Sequence, residues 1–225
     1  MEDQILFEDN HLIVVNKKAG ELVQGDQTGD IPLVEKIKSF LKKKYNKPGA
    51  VFLGVVHRLD RPTSGVLVFA KTSKALSRLN EQFKCRVPKK IYWAIVSKAF
   101  PESEGKLTHW MTRNHQQNKS KAHKNVVPNS KKARLHFKKI RVLEHYSLLE
   151  IQLETGRHHQ IRAQLSSLKY PIQGDLKYGA SRSNRDGSIS LHARELKLVH
   201  PVTKKSLEFK ANPLKSGIWK AVLSG

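Results

Sequence analysis

A single α+β domain is the architecture this sequence predicts, and three features predict it. Apolar runs of strand length and amphipathic runs of helix length follow one another without a regular βαβ alternation. Neither an internal repeat nor a low-complexity linker divides the chain. Its 225 residues fit one domain, here taken as 1–225, with no room for a modular array.

Ile5 to Phe7 and Leu12 to Asn16 read as two strands around the polar turn Glu8-Asp9-Asn10. From Asp30 to Tyr45 the pattern is helical: Asp30 can cap it, Pro32 suits its first turn, and Leu33, Ile37, Phe40 and Leu41 share a face. The opposite face carries Lys36, Lys38, Lys42, Lys43 and Lys44, for which solvation is the default role. An apolar run from Val51 to Val56 precedes the polar stretch His57 to Gly65, and Val66 to Ala70 then reads as a buried strand. Ser73 can cap a second helix whose core side is Leu76, Leu79 and Phe83. Ile91 to Val96 is another buried strand, with Tyr92, Ala94 and Val96 on one face. Between 106 and 141 there are eleven Lys and Arg and no acid, and the polar stretch 114–130 reads as a mobile basic loop suited to phosphate contact. Leu148 to Leu153 alternates like a strand, and a helix is expected from Arg157 to Leu168 on the stripe Ile161, Leu165, Leu168, stopped by Pro171. Gly174-Asp175 and Tyr178-Gly179 mark a turn, and short strands follow.

Charge narrows the function. Lys and Arg number 42 against 19 Asp and Glu, a formal net charge of +23, which points to a polyanionic partner, nucleic acid first. One cysteine, Cys85, excludes a disulfide scaffold and a Cys-rich zinc module. The acidic first residues and short apolar runs predict no signal peptide and no membrane span. A cytoplasmic, monomeric protein that touches RNA and no membrane is expected.

Two stretches hold the residue types that chemistry needs. Asp60 lies between Arg58 and Arg61 in a polar loop flanked by very apolar segments, followed by Thr63, Ser64 and Gly65. An aspartate that hydrogen-bonds its own turn is the ordinary alternative. The second is Thr155-Gly156-Arg157-His158-His159-Gln160-Ile161-Arg162, where helical spacing would put both histidines on part of the surface of Arg162. Metal ligation by the pair is disfavoured, because adjacent side chains point apart and no third ligand stands at helical spacing. No glycine-rich phosphate loop, dinucleotide fingerprint or Ser-His-Asp order is present, so no cofactor or metal is expected.

His57-Arg58-Leu59-Asp60-Arg61-Pro62-Thr63-Ser64-Gly65 closely resembles the signature of the RluA family of RNA pseudouridine synthases. Leu6-Phe7-Glu8-Asp9 with Val14-Val15-Asn16-Lys17, Lys90-Ile91-Tyr92, Thr155-Gly156-Arg157 with His159 to Arg162, and Gly174-Asp175 with Tyr178-Gly179 resemble its other motifs, in order. Lys18, Gln24, Leu135 and His158 depart from the family pattern without touching Asp60. The resemblance implies the pseudouridine synthase fold, a mixed and mostly antiparallel sheet flanked by helices around a central catalytic cleft, here without the small amino-terminal RNA-binding domain of many relatives. It implies isomerisation of uridine to pseudouridine in tRNA or rRNA, with no cofactor. Asp60 would be the catalytic carboxylate, Arg162 its ion-pair partner, and Tyr92 the ring packed on the target base. Arg58 would fill the space of the flipped base, and Arg61, Lys90, Arg157 and His159 would complete the RNA contacts. A non-catalytic, ribosome-associated RNA binder is the alternative, and a metal-dependent nuclease would need an acidic cluster that the sequence does not show.

Overall fold

The computed structural model describes residues 1–26 and 29–223. In chain order the strands and helices are β1 Ile5–Glu8, β2 Leu12–Lys17, α1 Leu33–Lys44, β3 Gly54–Val55, β4 Ser64–Ala70, α2 Ser73–Lys84, β5 Lys89–Ser97, β6 Glu104–Asn114, β7 Lys119–His123, β8 Lys131–Leu143, β9 Tyr146–Leu153, α3 Gln160–Ser167, β10 Leu191–Val199, β11 Ser206–Lys210 and α4 Gly217–Leu223. They fall into two compact units, one of residues 1–89 and 193–212, the other of 90–192 and 213–225. No described helix is long and apolar enough to cross a membrane.

In the first unit the strand order is β1-β2-β4-β10, with β11 beside β10 and β3 beside β4. Asp9 makes the β1–β2 turn: its Oδ1 accepts from the N–H groups of His11 and Leu12, each at 2.7 Å, and its Oδ2 meets His200 Nε2 at 2.8 Å. The two apolar runs of the sequence become β2 and β4, which pair antiparallel from Leu12↔Ala70 to Lys17↔Gly65. Both are buried on both faces, which is why they read as continuous rather than alternating. Ala75 and Leu79 of α2 close the core with Leu196, Leu198 and Phe209. Gly65 must be glycine: its φ is +122°, and a Cβ would stand 2.3 Å from the carbonyl oxygen of Ala193.

Two helix starts differ from expectation. Pro32 precedes α1 without a side-chain cap, because Asp30 is drawn into an ion pair with Arg61 (Oδ2 to Nη2, 2.6 Å). For α2 the cap is Thr72, whose Oγ1 accepts from Ala75 N–H at 3.2 Å, and Ser73 is the first helical residue.

Glu8 at the end of β1 accepts from Lys44 Nζ, Lys71 Nζ and Tyr45 Oη at 2.6 to 2.7 Å. Burial works to raise its carboxyl pKa, and these three donors overcome it, bringing it down to about 2. A carboxyl depressed on folding adds stability that is complete above its ordinary 4.5 and is lost as the pH falls through 2. Glu8→Gln is therefore expected to lose about 1–2 kcal/mol at neutral pH. Its acid-unfolding curve should also be flatter than wild type below pH 4.5.

In the second unit the order is β5-β9-β8-β6-β7, antiparallel at every pair. One sheet face turns Ala94, Leu149, Ile151, Leu135, Ala133 and Met111 inward. Ala163 of α3 joins Met111, Ala133 and Tyr178 in a buried cluster. On the other face α4 packs Trp219 and Val222 against Ile95 and Leu148. The expectation of a mobile loop over 114–130 is corrected here: β7 lies within that segment and pairs with β6 from Trp110↔His123 to Asn114↔Lys119. Its inward residues are Ser120 and Ala122, small side chains that give no hydrophobic alternation to read. Helix α3 also starts later than expected, at Gln160, because His159 takes a left-handed conformation with φ +52°.

Candidate active site

The polar loop of the first unit is braced from beneath. His57 stacks on Phe83 (4.8 Å between ring centroids) and accepts the Val68 N–H on Nε2. Thr63 N–H closes a turn on the Asp60 carbonyl at 3.0 Å, leaving the Asp60 side chain half-buried. Arg58 is exposed, with Nη1 3.4 Å from Gln24 Oε1. Arg61, expected to touch RNA, is exposed, pairs with Asp30 and donates from Nε to the Gly20 carbonyl at 3.1 Å.

A residue the motif analysis left without a role holds this loop. Lys17, at the end of β2, is fully buried, and its ammonium donates to the carbonyls of Lys18, Arg61 and Thr63 at 3.0, 3.1 and 2.7 Å. All three N–H bonds end on backbone, two of them within three residues of Asp60. Burial lowers the Lys17 pKa to about 8, against the opposing fields of Glu21 and Asp60. The signal in the sequence was a lysine closing an otherwise apolar strand, a residue rarely buried without partners. Lys17→Met would strand buried carbonyls and is expected to cost about 2–4 kcal/mol. A thermal melt checks it, and an unchanged midpoint would mean the loop carbonyls find other donors.

In the second unit Tyr92 stands on β5 opposite Ile151, at 9% exposure, on the inward face of the sheet. Arg162 lies in the first turn of α3, and its guanidinium makes a two-pronged ion pair with Asp175: Nε to Oδ2 at 2.7 Å and Nη2 to Oδ1 at 2.8 Å. Both are buried, at 5% and 1%. The guanidinium carbon sits 4.9 Å from the ring centre of Tyr178. The Tyr178 hydroxyl accepts from Ser120 N–H at 2.8 Å and meets His159 Nδ1 at 2.9 Å. His159 is therefore an interior prop at 9% exposure. Its ring stacks on His158 at 3.7 Å, so the two side chains do not point apart as expected, a consequence of the left-handed backbone at His159. His158 Nδ1 meets Ser120 Oγ at 2.8 Å.

Gln160 ties the lead into α3. Its Oε1 accepts from Thr155 Oγ1 and Arg157 N–H, and its Nε2 donates to the Arg134 carbonyl at 3.1 Å. Gly156 lies under Lys90, whose Nζ would stand 3.2 Å from a Cβ placed there. Arg157 is half-buried, and its Nε donates to the Lys132 carbonyl at 3.2 Å. Asp175 and Tyr178 were visible in the sequence only as turn markers; that they carry Arg162 is apparent from the fold. Among the described residues no three His, Cys, Asp or Glu are grouped to hold a metal.

A family model described as RNA pseudouridylate synthase matches residues 11–167. An "Uncharacterized RNA pseudouridine synthase" of Chloroflexus aurantiacus is 45% identical over 70% of this chain and 49% of its own. The "Ribosomal large subunit pseudouridine synthase D" of Zymomonas mobilis is 35% identical over 92% of this chain and 68% of its own. This chain therefore belongs to the RNA pseudouridylate synthase family, and the RluA resemblance of its motifs stands. It spans about half to two thirds of the length of the first curated relatives it matches. The solved structure "Human RNA Pseudouridylate Synthase Domain Containing 4" superposes with a TM-score of 0.80 at 24% identity, covering 99% of this chain and 92% of that one. The fold is the α+β pseudouridine synthase fold.

Proposed function

We propose that this chain isomerises uridine to pseudouridine within structured RNA, with Asp60 as the catalytic carboxylate. The observation that carries the reading is the family match over 11–167, in which the Asp60 loop lies intact and is held by a buried ammonium. Either a covalent attack by Asp60 or a proton abstraction from the ribose begins the reaction. The bond between uracil N1 and C1′ breaks, the base turns, C5 bonds to C1′, the C5 proton leaves to a base, and N1 ends protonated. No oxidant or reductant is consumed.

Arg162 serves as the cation that keeps the reacting carboxylate charged, oriented by Asp175 and Tyr178. Tyr92 packs on the uracil and is the candidate acceptor of the C5 proton. A stacked uracil must leave its helix to react, and Arg58, exposed and permanently charged, suits the vacated space. Lys90 and Arg157 are assigned to RNA phosphates. Arg61, exposed beside Asp60, is assigned to RNA contact, and the buried His159 to bracing.

Ribosomal RNA is the favoured substrate class, supported by the name of the Zymomonas relative, with tRNA second. Incubation with rRNA and tRNA transcripts, followed by nucleoside chromatography, tests this. Pseudouridine should appear at the expense of uridine in one class. RNA binding without conversion of either class would favour a non-catalytic binder.

A further inference from the structure

The register of the second unit gives its sheet two unlike faces. Tyr92 and the apolar residues packed with α3 occupy one. On the other, Trp110 stands between His123 and Lys132, Thr108 beside Arg134, Lys106 beside His136, and Thr112 beside Lys121. Lys106, Lys121, Lys132, His136 and Lys138 are exposed, and Trp110 and Arg134 are half-buried.

The charges on this face do not cancel. Glu154 gathers Lys106, Arg134 and His136 at 3.0, 2.7 and 2.6 Å, one carboxylate among three basic side chains. Glu104 and Glu150 are the other acids there, set at the far end from Trp110. The strands β6 to β8 contribute only Glu104 as an acid, at the very start of β6. Lys132 Nζ lies 5.7 Å from the Trp110 ring centre. At the end of this face away from Trp110 a groove of about 530 Å³ opens, lined in part by Lys106, His136, Lys138 and Gln152 together with Glu104 and Glu150.

We propose that this outward face of β6, β7 and β8 is a binding platform for unpaired RNA, with a base stacked on Trp110 and phosphates held by Lys106, Lys121, Lys132 and Arg134. An open antiparallel face that combines an accessible indole with clustered cations has the chemistry for single strands, because every base offers a π-face and every linkage a negative charge. A duplex keeps its bases stacked on one another and can use the cations alone. The platform lies on the sheet face opposite Tyr92, so it extends the RNA contact beyond the reacting residues and does not depend on the chemistry of Asp60.

Fluorescence anisotropy with a labelled oligoadenylate strand tests it, since that probe contains no uridine for the reacting residues to act on. Trp110→Ala should weaken strand binding roughly tenfold, and Trp110→Phe should recover most of it. Affinity for a short RNA duplex should change by less than about twofold, because stacking contributes nothing there. Lys132→Ala should lower the salt slope on the single strand by about 0.7. If Trp110→Ala melts early, Lys132→Glu, which leaves the indole in place, carries the test through its strand affinity and salt slope. Unchanged strand affinity in Trp110→Ala, or equal losses on strand and duplex, would overturn the platform. Asp60→Asn should keep wild-type oligoadenylate affinity. A chain that failed to make pseudouridine but bound strands through Trp110 would lose the catalytic reading and keep this one.

Discussion

Asp175→Asn should destabilise the protein by about 3–5 kcal/mol, the loss typical of a buried ion pair broken from one side. The substitution keeps the shape of the side chain and one acceptor but removes the charge that the Arg162 guanidinium was buried against. Arg162 and Asp175 are 5% and 1% exposed, so water cannot replace the lost carboxylate. A melting midpoint lowered by on the order of 10 °C is the expected reading. Activity should fall with it, since the Asp175 fork sets the direction of the guanidinium at 2.7 and 2.8 Å. Arg162→Lys should not recover either property, because an ammonium cannot make two parallel hydrogen bonds in that plane. A stability loss under about 1 kcal/mol would mean the pair is offset elsewhere.

Asp60→Asn should instead stop the reaction. Its side chain is half-buried on a loop that Lys17 and the Thr63 turn hold through backbone carbonyls. The rate should fall by about 10⁴-fold or more, as when a residue that forms the reacting bond is removed. RNA affinity should stay within about twofold of wild type, because phosphate contacts dominate binding and the variant adds no negative charge.

What the sequence made legible follows the physics of each segment. The doubly buried strands β2 and β4 announce themselves as unbroken apolar runs, and α2 by its stripe of Leu76, Leu79 and Phe83. The α3 boundary did not, because the left-handed histidine at 159 goes with its long-range contact to the Tyr178 hydroxyl rather than with local propensity. Nor did β7, whose inward residues are Ser120 and Ala122. Asp60, Tyr92 and Arg162 were identified by motif alone. The residues that hold the candidate site in shape, Lys17, Asp175 and Tyr178, form pairings across 13 to 58 positions that no spacing rule encodes.

Release of tritium from RNA labelled at uracil C5, followed for wild type and Asp60→Asn on the same transcript, tests the central claim most directly. Pseudouridine formation replaces that C–H bond with a carbon–carbon bond, so each turnover sends the label into water. The account predicts release by wild type and none above background by Asp60→Asn at equal RNA occupancy. Equal release by the two proteins would contradict it and move the catalytic role away from Asp60.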